Sequence, residues 1–313
     1  MTHRRPVCLM LCAALAGCFS TKDTETGDTG PGWDSGWWPV ATPSSHYMDD
    51  VWGSGPDDVY AVGTSSEVIH WDGDAWTAVA TGVTGQDWRS VWGSGADDVW
   101  VGGTNGSLLH SVDGGGTWDL VPTGAGGTLY SMWGLGGSVL YATASGAGVI
   151  RSYDQGVTWT QHPLDVTFAG SAIWGAPTGE VFVAGPGELL RSLDEAETWE
   201  HLPTGSDAAY LAIWGSSADD LYMVADDGVV SHTTDQGLTW THPTTPSTDT
   251  LFGVWGSSAD DVYAVGYDIL HSTDQGVTWV EEDSHSLQYH QQVWGSGPGD
   301  VWAVGGDVLH RAP

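Results

Sequence analysis

Carboxylates, basic side chains and aromatic rings are the groups in this sequence whose number and spacing could do chemistry. Adjacent aspartates stand at Asp57-Asp58, Asp97-Asp98, Asp219-Asp220 and Asp260-Asp261, and two neighbouring carboxyls in a cleft can act as acid and base in glycoside hydrolysis. All four pairs occupy one position of a repeat, so repetition accounts for them before catalysis does. A glycosidase would instead be marked by a lone pair with a raised pKa on an aromatic face. Seven basic residues also recur, at His70, His110, Arg151, Arg191, His232, His271 and His310. A ring of that kind can bind an anion or respond to pH, but each stands at a strand end beside an aspartate-bearing turn that it would satisfy. No histidine spacing is that of a metal site, and Asp72-Gly-Asp74 and Asp226-Asp227-Gly228 are too short for calcium loops. No cofactor is expected, calcium being the one that the acidity of the chain leaves open. The third set is aromatic. Tyr47, Trp88, Tyr130, Phe168, Tyr210, Phe252 and Tyr289 each precede a recurring Trp-Gly, by three to six residues. Aromatic faces stack on sugars and anchor interfaces, so these seven are the ligand-binding candidates, as a shallow platform for a glycan or a partner's segment.

The elements that must position these groups follow from the repeat. Trp-Gly recurs at Trp52, Trp92, Trp133, Trp174, Trp214, Trp255 and Trp294, at intervals of 39 to 41 residues, and a second aromatic follows each tryptophan by eight residues. Each unit reads as four short strands, those of the second falling at 90–92, 99–102, 107–110 and 117–121, with glycine- and aspartate-rich turns between. Four strands in a unit of this length is the signature of a propeller blade. The seventh unit stops after its third strand, while residues 34–40 supply a strand before the first Trp-Gly. The expected fold is therefore all-β, a seven-bladed β-propeller with four-stranded blades, its ring closed by an N-terminal strand that completes the last blade and leaves no open edge. Forty-six glycines and twenty tryptophans fit tight turns and heavy aromatic filling.

The turn between third and fourth strands carries the sharpest motif. Ser111, Asp113, Gly115, Thr117 and Trp118 define it, and it recurs around Asp154, Asp194, Asp235 and Asp274. Ala196 replaces its glycine in one copy, and the first unit, through Asp72 and Trp76, is one residue short. The aspartate can accept backbone N–H groups across the hairpin, the glycine allows positive φ, and the tryptophan plugs the blade. The pattern resembles the Asp-box of the sialidase-like superfamily of BNR-repeat propellers, and the resemblance covers the chain from about residue 33 to 311. It implies a structural role for the five aspartates. Sialidase chemistry belongs to an arginine triad, and Arg89, Arg151, Arg191 and Arg311 are the only arginines beyond residue 33; no triad is evident. Propellers of this kind include sialidases, xyloglucan-active hydrolases, sortilin-type receptors and photosystem assembly factors, so the resemblance is specific for fold and weak for function.

The N-terminus reads as an export signal: Arg4 and Arg5, a short apolar run, then Leu15-Ala16-Gly17-Cys18. That tetrapeptide resembles a bacterial lipobox, which implies acylation of Cys18 and a lipid anchor without a transmembrane helix. Tandem repeats behind a lipobox resemble surface lipoproteins of myxobacteria. Residues 1–17 are thus expected as signal peptide, 18–32 as lipidated cysteine and flexible acidic linker, and 33–313 as propeller. Phe19 is not the aspartate of inner-membrane retention, which favours the outer membrane. Cysteines occur only at 8, 12 and 18, so the propeller has no disulfide. With 7 basic and 40 acidic residues the net charge is −33, which excludes binding to nucleic acid phosphates. The expectation is a non-catalytic binding or scaffold lipoprotein of the cell envelope, monomeric, with a glycan or an envelope protein as partner. The alternative is a carbohydrate-active hydrolase.

Overall fold

The computed structural model describes residues 36–164 and 172–312. Within them seven antiparallel sheets follow one another as the blades of a β-propeller. Blade 1 comprises Met48–Gly55, Asp58–Gly63, Val68–Trp71 and Trp76–Ala78, paired in that order. The same meander builds blades 2, 3, 4 and 6, whereas in blade 5 a single bridge between His232 and Thr241 replaces the fourth strand. Blade 7 joins His290–Gly297, Asp300–Gly305 and Val308–Arg311 to Trp37–Pro39 from the other end of the chain, Trp37 lying opposite Arg311.

The eight-residue spacing has a direct cause. The first hairpin of each blade pairs the Trp-Gly tryptophan with the second aromatic, as in Trp52 with Tyr60, Trp92 with Trp100 and Trp294 with Trp302. In blade 2 the strands run Trp88–Gly95, Asp98–Gly103, Ser107–Ser111 and Asp119–Pro122. The first is longer than its apolar core alone indicates because pairing continues past a bulge at each end. The fourth begins only after Trp118, whose indole is committed to the turn, donating to the carbonyl of Gly115 at 3.1 Å.

Each blade buries its apolar faces against its neighbours. Met48, Val51, Ile69 and Trp76 of blade 1 share a cluster with Trp302, Val304 and Val308 of blade 7. Trp37 is wholly buried among Tyr263 and Val265 of blade 6 and Val301 and Leu309 of blade 7, and its indole donates to Glu282 Oε2 at 2.7 Å. An aromatic side chain buries roughly 150–250 Å², so the closing strand is held by packing as much as by its ladder. Around the ring each Trp-Gly tryptophan lies over the glycine of the next blade's Trp-Gly: Trp52 over Gly93, Trp92 over Gly134, and so on to Trp294 over Gly53, which closes the circle. A β-carbon at these glycines would overlap the indole. Glycine is needed here for close approach rather than for an unusual φ.

The aspartate turns are satisfied locally. Asp113 Oδ1 accepts the N–H of Thr117 at 2.8 Å, its Oδ2 accepts the Thr117 hydroxyl at 2.8 Å, and Ser111 Oγ donates to Oδ1 at 2.9 Å. Asp154, Asp194, Asp235 and Asp274 take the same backbone N–H bond at 2.8 Å. Ala196, where the other copies have glycine, holds φ at 67° and is fully buried; the left-handed conformation is kept at a cost in backbone energy.

Candidate functional site

The repeated aspartate pairs and the basic ring belong to one structural device. Asp58 sits with Oδ1 2.7 Å from His70 Nε2, accepts the Ser54 hydroxyl on Oδ2, and His70 stacks on Tyr60 with ring centroids 4.3 Å apart. The arrangement recurs at His110 with Asp98, His232 with Asp220, His271 with Asp261 and His310 with Asp300, at 2.6–2.7 Å. Blades 3 and 4 use buried arginines instead: Arg151 reaches Glu197 at 2.5 Å and Arg191 reaches Glu200 at 2.6 Å. The second carboxylate of every repeated pair is therefore engaged.

The seven candidate aromatics separate by their offset from Trp-Gly. Trp88 and Tyr210, four residues before it, are buried, with 0% and 3% exposure. The ring of Trp88 packs against Gly103, and the Tyr210 hydroxyl lies 2.7 Å from Ser231 Oγ. Met48, Leu129, Leu251 and His290 hold the same offset and are equally buried, so this is a core position in every described blade that contains it. Trp88 and Tyr210 are thus not platform residues. Phe168 lies outside the described residues. Tyr47 and Tyr289, five residues before Trp-Gly, and Tyr130 and Phe252, three before it, are half-buried. Tyr289 contacts Tyr47 at 5.0 Å, Phe252 at 5.5 Å and Tyr267 at 5.4 Å between centroids, and the Tyr47 hydroxyl donates to Gln291 Oε1 at 3.1 Å. The aromatic surface is thus gathered where blades 6, 7 and 1 meet, Tyr130 standing apart. Tyr267, half exposed in the loop between second and third strands, was not among the candidates; its position in a loop on the same face is the signal that pointed to it.

The offset of three has its own geometry. In six described blades the first strand bulges there, so that Asp49, Arg89, Tyr130, Leu211, Phe252 and Gln291 have no partner in the ladder. Bulges re-aim side chains, and all six residues line a cavity of about 670 Å³ in the central channel, bounded by first strands of all seven blades. Tryptophans of the Trp-Gly ring line the same cavity. At the bulged end, Gln291 and Gln292, Asp49 and Asp50, and Arg89 make a polar arc over blades 7, 1 and 2. Tyr130, Leu211 and Phe252 make an apolar one from blades 3, 5 and 6.

Among the described residues, Asp49 and Asp50 are the only carboxylates lining this cavity, a pair at a repeat position different from that of the four described above. Burial pushes Asp49 up to about 6 against the lowering effect of Arg89, whose guanidinium it pairs through Oδ1. Its side chain is 8% exposed, and Oδ2 has no partner among the described residues. Burial pushes Asp50 up to about 7 although it accepts the N–H groups of Val51 at 2.9 Å and, in blade 2, Val91 at 2.8 Å. At the same position Ser131 accepts the N–H of Ile173 in blade 4, so Asp50 is a strut between blades. The pair was legible as an Asp-Asp outside the turn register; its place in the channel depended on the bulge. Among the described residues no group of three or more histidine, cysteine or acidic side chains is arranged to hold a metal ion, and no helix is long and apolar enough to cross a membrane.

No family model and no curated protein sequence matches the chain. Solved structures do. YCF48 bound to a D1 peptide is 16% identical, with a TM-score of 0.76 over 89% of this chain and 97% of that one. Virginiamycin B lyase from Staphylococcus aureus with quinupristin is 11% identical, with a TM-score of 0.77 over 88% and 98%. The GH74 enzyme from Niastella koreensis is 14% identical, with a TM-score of 0.73 over 88% of this chain and 53% of that one. At such identities the likeness is one of fold, and the fold is shared by binding proteins and enzymes alike.

Proposed function

We propose that this chain is a non-catalytic binding propeller of the bacterial cell envelope, built from Asp-box repeats and anchored through an acylated Cys18, with its ligand seated at the bulged mouth of the channel. The observation that carries the reading is the contrast at that mouth: the blades repeat elsewhere, but there six described blades each present a different side chain to the channel cavity, the Asp49–Arg89 pair among them. A YCF48 propeller holding a D1 peptide and a lyase holding quinupristin support ligand binding on this fold. Cys18 lies outside the described residues.

A second reading, a glycosidase, is favoured by the raised pKa of the Asp49-Asp50 pair beside aromatic residues. Against it, both oxygens of Asp50 are engaged by backbone N–H groups and Asp49 is paired to Arg89. One experiment separates the two: the full chain in a sugar-free detergent is screened on a glycan array, with and without calcium, alongside turnover of aryl glycosides. Binding without turnover is expected. Turnover abolished by Asp49→Asn would establish the hydrolase, and silence in both assays would direct the search to an envelope protein. Lipidation is tested separately. Radiolabelled palmitate should enter the wild-type chain and not Cys18→Ser; equal labelling of both would remove the anchor.

A further inference from the structure

We propose that the closure of the ring is a proton-controlled latch: His271, held between Asp261 and Glu282, fixes the carboxylate that grips the closing strand through Trp37, and alkaline pH loosens that strand while the other blades stay shut.

The latch answers a deficit at the seam. In blades 2, 3, 5 and 6 the tryptophan that ends the aspartate turn donates its indole N–H to a carbonyl of that turn, at 3.0–3.1 Å. Trp37 holds the equivalent place in blade 7 but follows no such turn, since Asp34-Ser-Gly36 precedes it. Its donor goes instead to Glu282 Oε2, at the end of the fourth strand of blade 6, Val280–Glu282. Three residues after the equivalent tryptophan the other blades carry Val40, Val79, Val121, His162, Leu202 and Pro243, so a carboxylate stands at this position only in the blade whose side chain meets the closing strand.

That carboxylate is shared with a histidine. Glu282 Oε1 lies 2.9 Å from His271 Nδ1, and Asp261 Oδ1 lies 2.7 Å from His271 Nε2. A neutral imidazole has one N–H, so both contacts are hydrogen bonds only when the ring is protonated. His70, His110, His232 and His310 meet a carboxylate at Nε2 alone, which sets His271 apart among the described histidines of the repeat. The titratable and charged groups that face it come from three elements. The second strand of blade 6, Asp261–Gly266, gives Asp261 and the ring of Tyr263, stacked at 4.0 Å; the fourth gives Glu282; blade 7 gives Arg311, whose Nε lies 3.4 Å from Glu282 Oε2. Burial opposes charge on the imidazole, but its hydrogen bonds to Glu282 and Asp261 outweigh that and keep its pKa above the ordinary 6.5.

When the proton leaves, Nε2–H stays with Asp261 as in the other four blades, and the Nδ1 lone pair then faces Glu282 Oε1. Repulsion drives the carboxylate from the indole. Burial likewise opposes charge on Glu282, but bonds from His271 and Trp37 and the charge of Arg311 hold its pKa below the ordinary 4.5. The His271 contribution is fully present below 6.5 and is lost as pH rises through its raised pKa, whereas that of Glu282 is present above 4.5 and is lost as pH falls through its lowered one. The latch is firmest between the two.

The test is hydrogen exchange of the full chain in detergent from about pH 6 to about pH 9, expressed as protection factors, which report local opening. As pH rises from 6.5 toward the raised pKa of His271, protection of residues 36–40 is expected to fall by up to about tenfold per pH unit, while residues 118–122 of blade 2 keep theirs. Equal falls in both segments, as a global loss of stability would give, or no fall in residues 36–40, overturn the latch. Glu282→Val, which installs the residue of blades 1 and 2, should flatten the profile, and His110→Gln, in a blade with one carboxylate partner, should leave it intact. A profile unchanged in the first variant or lost in the second also overturns the proposal. Nitrogen NMR of the wild-type ring requires no substitution: His271 carrying protons on both nitrogens at pH 6.5 supports the latch, and a neutral ring there overturns it.

Discussion

The innermost strands of the seven blades are alike at one end and diverse at the other. At the Trp-Gly end every blade places an indole over its neighbour's glycine, and the circle closes from Trp294 onto Gly53. At the bulged end the corresponding residues are Asp49, Arg89, Tyr130, Leu211, Phe252 and Gln291. The difference follows from what each side chain meets. An indole seated on the next blade has one acceptable neighbour, so the constraint is copied seven times. A side chain turned into the channel meets solvent or ligand, and no neighbour fixes its type.

Breaking the uniform end should produce the largest effect. Gly93→Val sets a branched side chain into the Trp52 indole and the carbonyl of Asp98, contacts that involve backbone and cannot relax. Loss of cooperative thermal unfolding is expected, and a Tm close to wild type would show that the indole ring is not required. Trp88→Ala and Tyr210→Ala come next, at about 3–5 kcal/mol each by denaturant titration. A change of about 0.5 kcal/mol would return them to the surface. Asp154→Ala removes a local hydrogen-bond set and should lower Tm by less than Trp88→Ala does. At the diverse end, Phe252→Ala is expected to cost about 1 kcal/mol or less, the worth of one aromatic pair, while its effect on binding is large. An equal loss of stability at both ends would erase the distinction.

Titration sharpens the same comparison with the smallest effect. Hydrogen bonds from Thr198 and Ser192 hold Asp194 down to about 2. The stability it contributes is present above its unfolded pKa of about 3.9 and is lost as pH falls through about 2. Asp49 and Asp50 shift the other way, to about 6 and about 7, chiefly through burial. Their contribution is fully present below about 3.9 and is lost as pH rises through 6 to 7. Carboxyl carbon NMR should find the turn aspartates and the mouth aspartates on opposite sides of the ordinary value. Asp49 titrating near 4 would mean that the mouth is open to bulk water.

The repeat made the fold legible because its spacings are local. An eight-residue interval is one hairpin, and an aspartate four residues before a threonine closes one turn. The closing strand was legible from what blade 7 lacked and residues 34–40 supplied. The site was only partly so. Tyr47, Phe252 and Tyr289 converge, whereas Trp88 and Tyr210, of the same residue types and nearly the same offsets, are core.

Sequence by itself determined the number of blades, the pairing within each and the aspartate turns, since all depend on residues a few positions apart. Tertiary structure decided which aromatics face the channel and which carboxylates share it. In six described blades a bulge moves one residue of the first strand out of the ladder, and whether the side chain at an offset of three, four or five meets a neighbouring blade or open space depends on the assembled ring. Asp49 and Asp50 are adjacent in the chain, yet Asp50 ties two blades together because backbone N–H groups of both lie within its reach, whereas Asp49 pairs with Arg89 and keeps a buried oxygen without a partner among the described residues.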